Sequence, residues 1–335
     1  MPQRTDVPHF VVTGASGFVA QGLLQRHLLP LAHAGRIALT TTDLHMAAAG
    51  KEKVTHLPGD IADPALWRRL FARPVHRLFH LAAVVSGQAE REPMLGRNVN
   101  LLAGLQGMEC ARLQWERTDI KVRWIQASSI AVWGTGLPAR VDDHHPVRPM
   151  LSYGTHKRVL ELQLDDLSRR GEVDGRSLRL SGVVVRPRAY GAALSAFNSD
   201  VIREPLQGRT VICPVRPDAC LWLCSRDVAA DQLWQLSEID EPLWRNASET
   251  HATGGAVNAP TWPVSMQALL DALQRVDAAA ATRIRFDPAA PLHAQFGAWP
   301  RETDFALARA LGLPDDARIH QHDLARFVQA CMQTA

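Results

Sequence analysis

The amino-acid sequence predicts an α/β fold built on a doubly wound parallel sheet, because short apolar segments alternate with longer segments of helical pattern. Helical patterns follow the first apolar segment as far as about His33, run from about Arg91 to Trp115, and begin again near Tyr153. This alternation joins parallel strands through helical crossovers, so the carboxyl ends of the strands line a ligand crevice. The predicted strands are 9–13, 36–43, 54–61, 77–83, 122–129 and 178–185.

Length and composition indicate a globular protein with a sizeable core. The 335 residues are 46% hydrophobic and 21% charged, and the net charge of +3 comes without a run of like charges. This pattern argues against nucleic acid and against a membrane surface as partners. No apolar run approaches the roughly 18 residues of a membrane span, and the polar N-terminus shows no signal-peptide pattern.

Neither the cysteines nor the histidines indicate a metal site. The five cysteines are scattered, and Cys220 and Cys224 fit a buried strand, so we expect reduced thiols in a cytoplasmic protein. Residues 142–145 read Asp-Asp-His-His, but they lie in a proline-flanked loop without helical spacing. A solvated turn is the favoured interpretation of that loop, and no metal is predicted.

A glycine motif follows the first predicted strand and indicates a dinucleotide. In Gly14-Ala-Ser-Gly17 the glycines permit a tight turn, and the helix that follows faces a pyrophosphate with its N-terminus. The second strand ends at Asp43, whose carboxylate suits the adenosine ribose of NAD and repels the 2′-phosphate of NADP. A turn without a ligand and a helix-capping aspartate are the alternatives.

Tyr153 and Lys157 lie one helical turn apart, on the same face of a predicted helix. A nearby ammonium favours the phenolate, so the spacing predicts a Tyr153 pKa below its ordinary value of about 10. The tyrosine could then take a proton from an alcohol or return one to a carbonyl. Ser128 and Ser129 end the fifth predicted strand and so reach the same crevice. The alternative is a coincidence of a buried aromatic with a solvated lysine.

The pattern changes after Arg186, where proline and glycine interrupt the segments. We expect residues 1–186 to form an NAD-binding domain of the Rossmann type, rejoined by a strand and a helix within 218–240. Residues 187–217 and 241–335 should form mainly a smaller C-terminal lobe that binds substrate.

Three separated motifs resemble the extended short-chain dehydrogenase/reductases, the group that includes the NAD-dependent nucleotide-sugar epimerases and dehydratases. They are residues 13–19 (TGASGFV), 128–134 (SSIAVWG) and 152–157 (SYGTHK). The resemblance covers roughly residues 9–240. It departs at Ala20, where glycine is usual, and at Trp133, where tyrosine is usual, and neither departure removes a reacting group.

The resemblance implies a catalytic set of Ser129, Tyr153 and Lys157, in which Lys157 also binds the nicotinamide ribose. The cofactor contacts that we expect from the motifs and the resemblance are Gly14, Ser16, Gly17, Phe18, Val19, Asp43, Asp60, Ile61, Leu81, Ala82, Ala83, Asn100, Tyr153, Lys157 and Pro187.

Within this family, residues 80–90, 183–187, 196–206 and 296–300 are similar to the D-erythronate dehydrogenases. The similarity implies NAD-dependent oxidation of a small sugar acid, D-erythronate, to 2-dehydro-D-erythronate. Family resemblance also implies a homodimer, formed through the helices near 91–115 and 152–170.

The predicted substrate contacts are Ser86, Ser129 and Arg203. An arginine fork fixes the plane of a carboxylate, and Arg203 follows the sixth predicted strand. The alternative is a surface arginine paired with Asp200 or Glu204.

Other functions stay open on the sequence alone. A nucleotide-sugar epimerase and a uronate dehydrogenase would use the same three catalytic residues. A dehydratase is disfavoured, because Ser129-Ile-Ala131 stands where that branch has Thr-Asp-Glu. An NAD-sensing regulator without turnover is disfavoured by the intact tyrosine.

Overall fold

The computed structural model describes residues 7–45, 54–188 and 193–334. The strands are β1 (His9–Thr13), β2 (Ala38–Thr42), β3 (Val54–His56), β4 (Arg77–His80), β5 (Arg123–Ser129), β6 (Arg140–Asp142), β7 (Asp174–Leu180), β8 (Gly182–Val184), β9 (Val211–Cys213), β10 (Cys220–Ser225), β11 (Ala256–Asn258), β12 (Trp262–Ser265), β13 (Ile284–Phe286) and β14 (Glu302–Asp304).

The helices are α1 (Phe18–Leu23), α2 (Leu29–His33), α3 (Pro64–Leu70), α4 (Ser86–Arg91), α5 (Pro93–Arg97), α6 (Ala103–Thr118), α7 (Ser152–Arg169), α8 (Phe197–Leu206), α9 (Arg226–Glu238), α10 (Glu241–Thr250), α11 (Met266–Val276), α12 (Ala290–Phe296), α13 (Ala306–Ala310), α14 (Asp316–Ile319) and α15 (Leu324–Gln333). π-Helical turns at Leu24–Leu28 and Asn98–Leu102 join α1 to α2 and α5 to α6. The helix predicted over 91–115 is therefore continuous only from Pro93, and it ends at Thr118.

Seven strands form one sheet in the order β3-β2-β1-β4-β5-β7-β11. Every neighbouring pair within it is parallel. The strand order reverses between β1 and β4, and a ligand crevice opens at such a point, outside the carboxyl ends of the strands. The predicted doubly wound α/β fold is confirmed.

Apolar helix faces pack on this sheet. Leu160, Leu164 and Leu167 of α7 recur at helical spacing and are 0%, 1% and 3% exposed. Burial of one such side chain contributes about 1.5–3 kcal/mol. This face therefore anchors the helix that carries Tyr153 and Lys157. In a separate apolar cluster, α1 packs against α9.

A second sheet of three strands contains β12, β10 and β8. The sequence predicts one strand over 178–185, but the chain leaves the large sheet at Ser181, so β7 and β8 lie in different sheets. Residues 218–240 were expected to return to the first domain as a strand and a helix. The strand, β10, instead pairs with β8 and β12 in the second sheet. The helix, α9, packs against α1. β11 supplies the seventh strand from the segment assigned to the smaller lobe. The division into two lobes stays a proposal.

All five cysteines are free thiols. Among the described residues, no helix has the length and apolar character needed to cross a membrane. The cytoplasmic location stays a prediction.

Candidate active site

The turn after β1 packs directly against the chain that follows β4. Gly14 has a φ of +69°, and a Cβ on it would lie 2.6 Å from the backbone nitrogen of Ala82, so only glycine fits. The Gly17 amide donates to the Gly14 carbonyl at 2.9 Å, and α1 begins one residue later, at Phe18. This arrangement presents backbone amides at the start of a helix, where a phosphate binds well.

Asp43 directly follows β2 and lies beside that turn. Its Oδ2 accepts a hydrogen bond from the Ser16 amide at 2.9 Å, which fixes the carboxylate against the glycine turn. A carboxylate has about four acceptor positions, so capacity remains for the hydroxyls of a ribose. The position fits the acid that an NAD-binding unit needs at this point.

A cleft of about 300 Å³ extends from the glycine turn to the ends of β4 and β5 and the start of α7. The glycine turn at one end and the polar side chains at the other fit a dinucleotide, which Gly14, Gly17, Tyr153 and Lys157 would hold. The predicted site residues that line this cleft are Gly14, Gly17, Phe18, Val19, Leu81, Ala83, Ser129, Tyr153 and Lys157.

The other predicted cofactor residues lie around the cleft without lining it. Asn100 is buried and fixes the chain after β4, because its side chain exchanges hydrogen bonds of 2.7 and 2.8 Å with the backbone of Val84. Asp60 is exposed and accepts from the Ala62 amide, and Ile61 is buried. Direct cofactor contacts stay predictions for all of the predicted residues, both those that line the cleft and Ser16, Asp43, Asp60, Ile61, Ala82, Asn100 and Pro187, which do not.

Ser129, Tyr153 and Lys157 meet where β5 ends and α7 begins. Ser129 and Tyr153 both line the cleft, and the Ser129 hydroxyl acts to lower the pKa of Tyr153. Lys157 Nζ lies 5.6 Å from the centroid of the Tyr153 ring. The first turn of α7 is held by Glu90, whose Oε1 accepts from the Ser152 amide at 2.7 Å. The structure thus brings together the three residues that the sequence groups as a catalytic set.

Burial raises the pKa of Tyr153 above its ordinary value, and the Arg186 cation and the Ser129 hydrogen bond only partly oppose this rise. The predicted lowering of this pKa by Lys157 is therefore wrong in this structure. Burial also lowers the pKa of Lys157 to about 8, with the Glu161 carboxylate opposing the fall. The cation that acts on the Tyr153 hydroxyl is Arg186.

Glu161 is a buried carboxylate one turn beyond Lys157. It accepts from the Ser128 hydroxyl at 2.5 Å, and Arg179 binds it through a fork of 2.8 and 3.0 Å. Arg158 adds a contact of 2.9 Å. Because these bonds tie the end of β5 to the middle of α7, they fix the spacing between Ser129 and Lys157.

A smaller cavity of about 120 Å³ adjoins the cleft beside β8. Ser86, a predicted substrate contact, lines this cavity. That it touches the substrate stays a prediction. Phe296 and Trp299 form an apolar wall. The polar residues that line the cavity are Ser86, Ser129, Tyr153, Ser181, Arg186, Ser195 and Asn198.

Arg203, predicted to anchor a substrate carboxylate, lies outside both of these cavities. It is 5% exposed, its guanidinium pairs with Asp200 and Glu204, and it donates to the backbone carbonyl of Arg186. The structure therefore shows the alternative interpretation, in which Arg203 pairs with Asp200 and Glu204. These pairs lie in the interior of the protein and not at its surface. We withdraw Arg203 as a substrate ligand for this reason.

Arg186 occupies the place that Arg203 was expected to fill. It lines both cavities, it is half-buried, and its Nε donates to the Val183 carbonyl at 3.0 Å. Within the described part of the chain, no carboxylate forms an ion pair with it, and burial lowers its pKa. A desolvated guanidinium without a counter-charge is costly, so the site favours an anionic ligand.

Residues 142–145 connect the body of the protein to its C-terminal segment. Asp143 is buried and accepts from the Asn258 side chain and from the Leu307 amide, both at 2.9 Å. The His145 ring stacks on Trp133 with the ring centroids 5.6 Å apart. The interpretation as a solvated turn is therefore wrong for Asp143, because its carboxylate holds the C-terminal segment to the body of the protein.

Sequence reasoning missed Arg186, Asn198, Phe296 and Trp299 as site residues. Arg186 directly follows the last predicted strand, so the strand-end argument that found Ser129 could have found it as well. The other three lie in segments 196–206 and 296–300, which the resemblance to the D-erythronate dehydrogenases marked, but nothing in those segments singled out the individual residues.

The chain matches the family model described as "NAD dependent epimerase/dehydratase family" over residues 10–232. Together with the strand order and the glycine turn, this match shows that the chain belongs to the NAD-dependent epimerase/dehydratase family. The predicted family and NAD cofactor are confirmed.

Individual relatives are similar over nearly the whole chain. A D-erythronate dehydrogenase of Cupriavidus necator is 38% identical over 317 residues, which cover 92% of this chain and 94% of the relative. A D-erythronate dehydrogenase of Haemophilus influenzae is 31% identical and covers 95% of this chain and 98% of its own. The crystal structure of a nucleoside-diphosphate-sugar epimerase from Agrobacterium tumefaciens superimposes with a TM-score of 0.85 at 29% identity, over 98% of this chain and 94% of that one.

Proposed function

We propose that the protein is an NAD-dependent dehydrogenase of a small sugar acid, and that it oxidises D-erythronate to 2-dehydro-D-erythronate. The observation that carries this proposal is Arg186, a half-buried cation without an acidic partner among the described residues, in a small polar cavity beside Tyr153. Similarity to two D-erythronate dehydrogenases supports the choice of acid.

The positions of the side chains suit oxidation at the carbon next to a carboxylate. Arg186 would hold the carboxylate through two parallel donors. Tyr153 would remove the proton of the neighbouring hydroxyl, and Ser129 would hold that oxygen as it becomes a carbonyl. NAD, when bound, supplies the hydride acceptor. Lys157 would bind the nicotinamide ribose and hold positive charge near the phenolate.

The size of the cavity argues against a nucleotide sugar. The described residues enclose about 120 Å³ beyond the cleft. Pockets for drug-sized ligands occupy roughly 300–1,000 Å³. A four-carbon acid is small enough for a cavity of this volume. Besides Ser129 and Tyr153, four side chains that line the cavity can form hydrogen bonds with its hydroxyls: Ser86, Ser181, Ser195 and Asn198.

The assay that tests this function follows NADH absorbance with four- to six-carbon aldonates, a uronate and UDP-sugars as substrates. We expect the highest kcat/KM with D-erythronate. Turnover of a UDP-sugar without turnover of any aldonate would establish the epimerase alternative instead.

Replacing Asp43 by alanine should weaken NAD binding and narrow the preference for NAD over NADP. The carboxylate, held by the Ser16 amide at 2.9 Å, would no longer bind the ribose hydroxyls or repel a 2′-phosphate. Steady-state kinetics with both cofactors measure this change. A wild-type preference for NADP would contradict the role given to Asp43.

The homodimer predicted from the family resemblance has a candidate surface on α7. Val159 and Leu162 lie on one helix face and are 38% and 53% exposed. Replacing both by glutamate should convert the dimer into a monomer, as measured by sedimentation velocity. Leu243→Glu on α10 is the control, since that leucine is 60% exposed on another helix. A monomeric wild-type protein would refute the proposed dimer.

A further inference from the structure

Asn198 lines the smaller cavity, and its side-chain oxygen has no hydrogen-bond donor among the described residues. The residue is 4% exposed, and its buried Oδ1 has no partner in the part of the chain that the structure describes. The side chain lines the cavity together with Ser129, Tyr153 and Arg186. Buried polar atoms in proteins nearly always have a partner, so an unpaired acceptor that faces a cavity indicates a ligand that donates to it.

The backbone around Asn198 fixes its position relative to Arg186. Ser199, the next residue of α8, accepts through Oγ from the Arg186 amide at 3.0 Å. On the other side, a Cβ on Gly182 would lie 3.0 Å from Asn198 Nδ2, so the amide group packs closely against β8. The carboxylate-binding group and the free acceptor are therefore held at a fixed separation, as a ligand that spans both requires.

Three of the other polar groups of the cavity have roles of their own, whereas Ser181 Oγ is a second buried atom without a hydrogen-bond partner among the described residues. Ser129 and Tyr153 serve the reacting oxygen in the proposed function. Ser86 Oγ accepts from the Leu194 amide at 3.3 Å. A four-carbon sugar acid whose carboxylate binds Arg186 still carries hydroxyls beyond its reacting carbon, and each hydroxyl can donate one hydrogen bond.

We infer that Asn198 accepts a hydrogen bond from one of these distal hydroxyls and thereby selects polyhydroxy acids over 2-hydroxy acids that lack the hydroxyl. This inference rests on the proposed function. A site built to pair with a substrate hydroxyl rejects an analogue without it, because the buried protein group then stays unpaired.

The experiment compares D-erythronate with 2,4-dihydroxybutanoate and 2,3-dihydroxybutanoate, which lack one distal hydroxyl each. For the wild type we expect kcat/KM to favour D-erythronate about 10- to 100-fold over the analogue that lacks the partner of Asn198. In Asn198→Leu, which has a similar volume and no acceptor, this ratio should fall close to one. The ratio should fall because kcat/KM for D-erythronate decreases, while kcat/KM for the analogue stays near its wild-type value.

Two further variants separate recognition from folding. Asn198→Ala should give the same collapse of the ratio if the leucine variant fails to fold. Gln106→Leu removes another buried amide oxygen that has no partner among the described residues. It lies in α6, away from the cavity, so this variant should leave the ratio unchanged. NADH binding should stay at the wild-type level in every folded variant.

The outcomes are distinct. An unchanged ratio in folded Asn198 variants, or equal losses with all three acids, would overturn the role of Asn198 while the proposed function stands. Failure of the wild type to oxidise any of the three acids would remove the proposed function and this inference with it.

Discussion

Replacing Tyr153 by phenylalanine is expected to reduce turnover at least about 10²-fold, the contribution typical of general acid–base catalysis. The phenyl ring keeps its packing in the first turn of α7, so the Ser152–Glu90 contact that holds this turn should persist. NADH binding should be largely retained, because the ring hydroxyl is only one of many groups along the cleft.

The pH dependence gives this prediction a second measurement. Burial raises the pKa of Tyr153, so the phenolate that removes the substrate proton becomes more abundant as the pH rises toward that value. Oxidation by the wild type should therefore accelerate from neutral to alkaline pH, and the protonated hydroxyl at neutral pH suits the reverse reduction. The phenylalanine variant should lose this acceleration. Near-normal activity of Tyr153→Phe would refute the catalytic role of the tyrosine.

The large sheet could be predicted because its strands are local features of the sequence. The segments over β1, β2, β4 and β5 are short, largely buried stretches bounded by turns, and each forms a strand close to its predicted limits. Which sheet a strand joins is not local. Residues 178–185 read as one apolar run, yet the chain changes sheets at Ser181 because β10 offers a second edge to β8. Nothing within the run itself records that partner.

The site shows the same boundary between local and tertiary information. The spacing of Tyr153 and Lys157 specifies their shared helix face, but the degree of burial decides the direction of a pKa shift, and sequence alone does not give burial. The two arginines illustrate this further. Arg203 and Asp200 are three residues apart on α8, so their pairing could be expected from helix geometry. That no acid of the described residues pairs with Arg186 emerges only when the surrounding elements are in place.

Replacing Arg186 by lysine is expected to raise KM for the sugar acid more than tenfold, or about 1.4 kcal/mol of binding free energy. Lysine keeps the charge but loses the two parallel donors that fix the plane of a carboxylate. Arg186→Met should have a larger effect, since it removes the charge as well. NAD affinity should change little in the lysine variant, which separates substrate anchoring from damage to the cleft.

Two neighbouring arginines provide matched controls for this experiment. Arg188 has a 67% exposed side chain and pairs with Glu204, so Arg188→Met should leave KM near the wild-type value. Arg203→Lys should lower the thermal unfolding temperature through its buried pairs, with a smaller effect on KM.

Arg186 should also influence the chemical step, because its charge lowers the pKa of Tyr153 against the effect of burial. Without that cation the phenolate forms only at higher pH. In Arg186→Met the increase in oxidation rate should therefore begin at a higher pH than in the wild type. If KM rises and the pH profile shifts in the same variant, the Arg186 guanidinium both binds the substrate carboxylate and lowers the pKa of Tyr153. An unchanged KM in Arg186→Lys, with the effect found in Arg203→Lys instead, would return the anchoring role to Arg203.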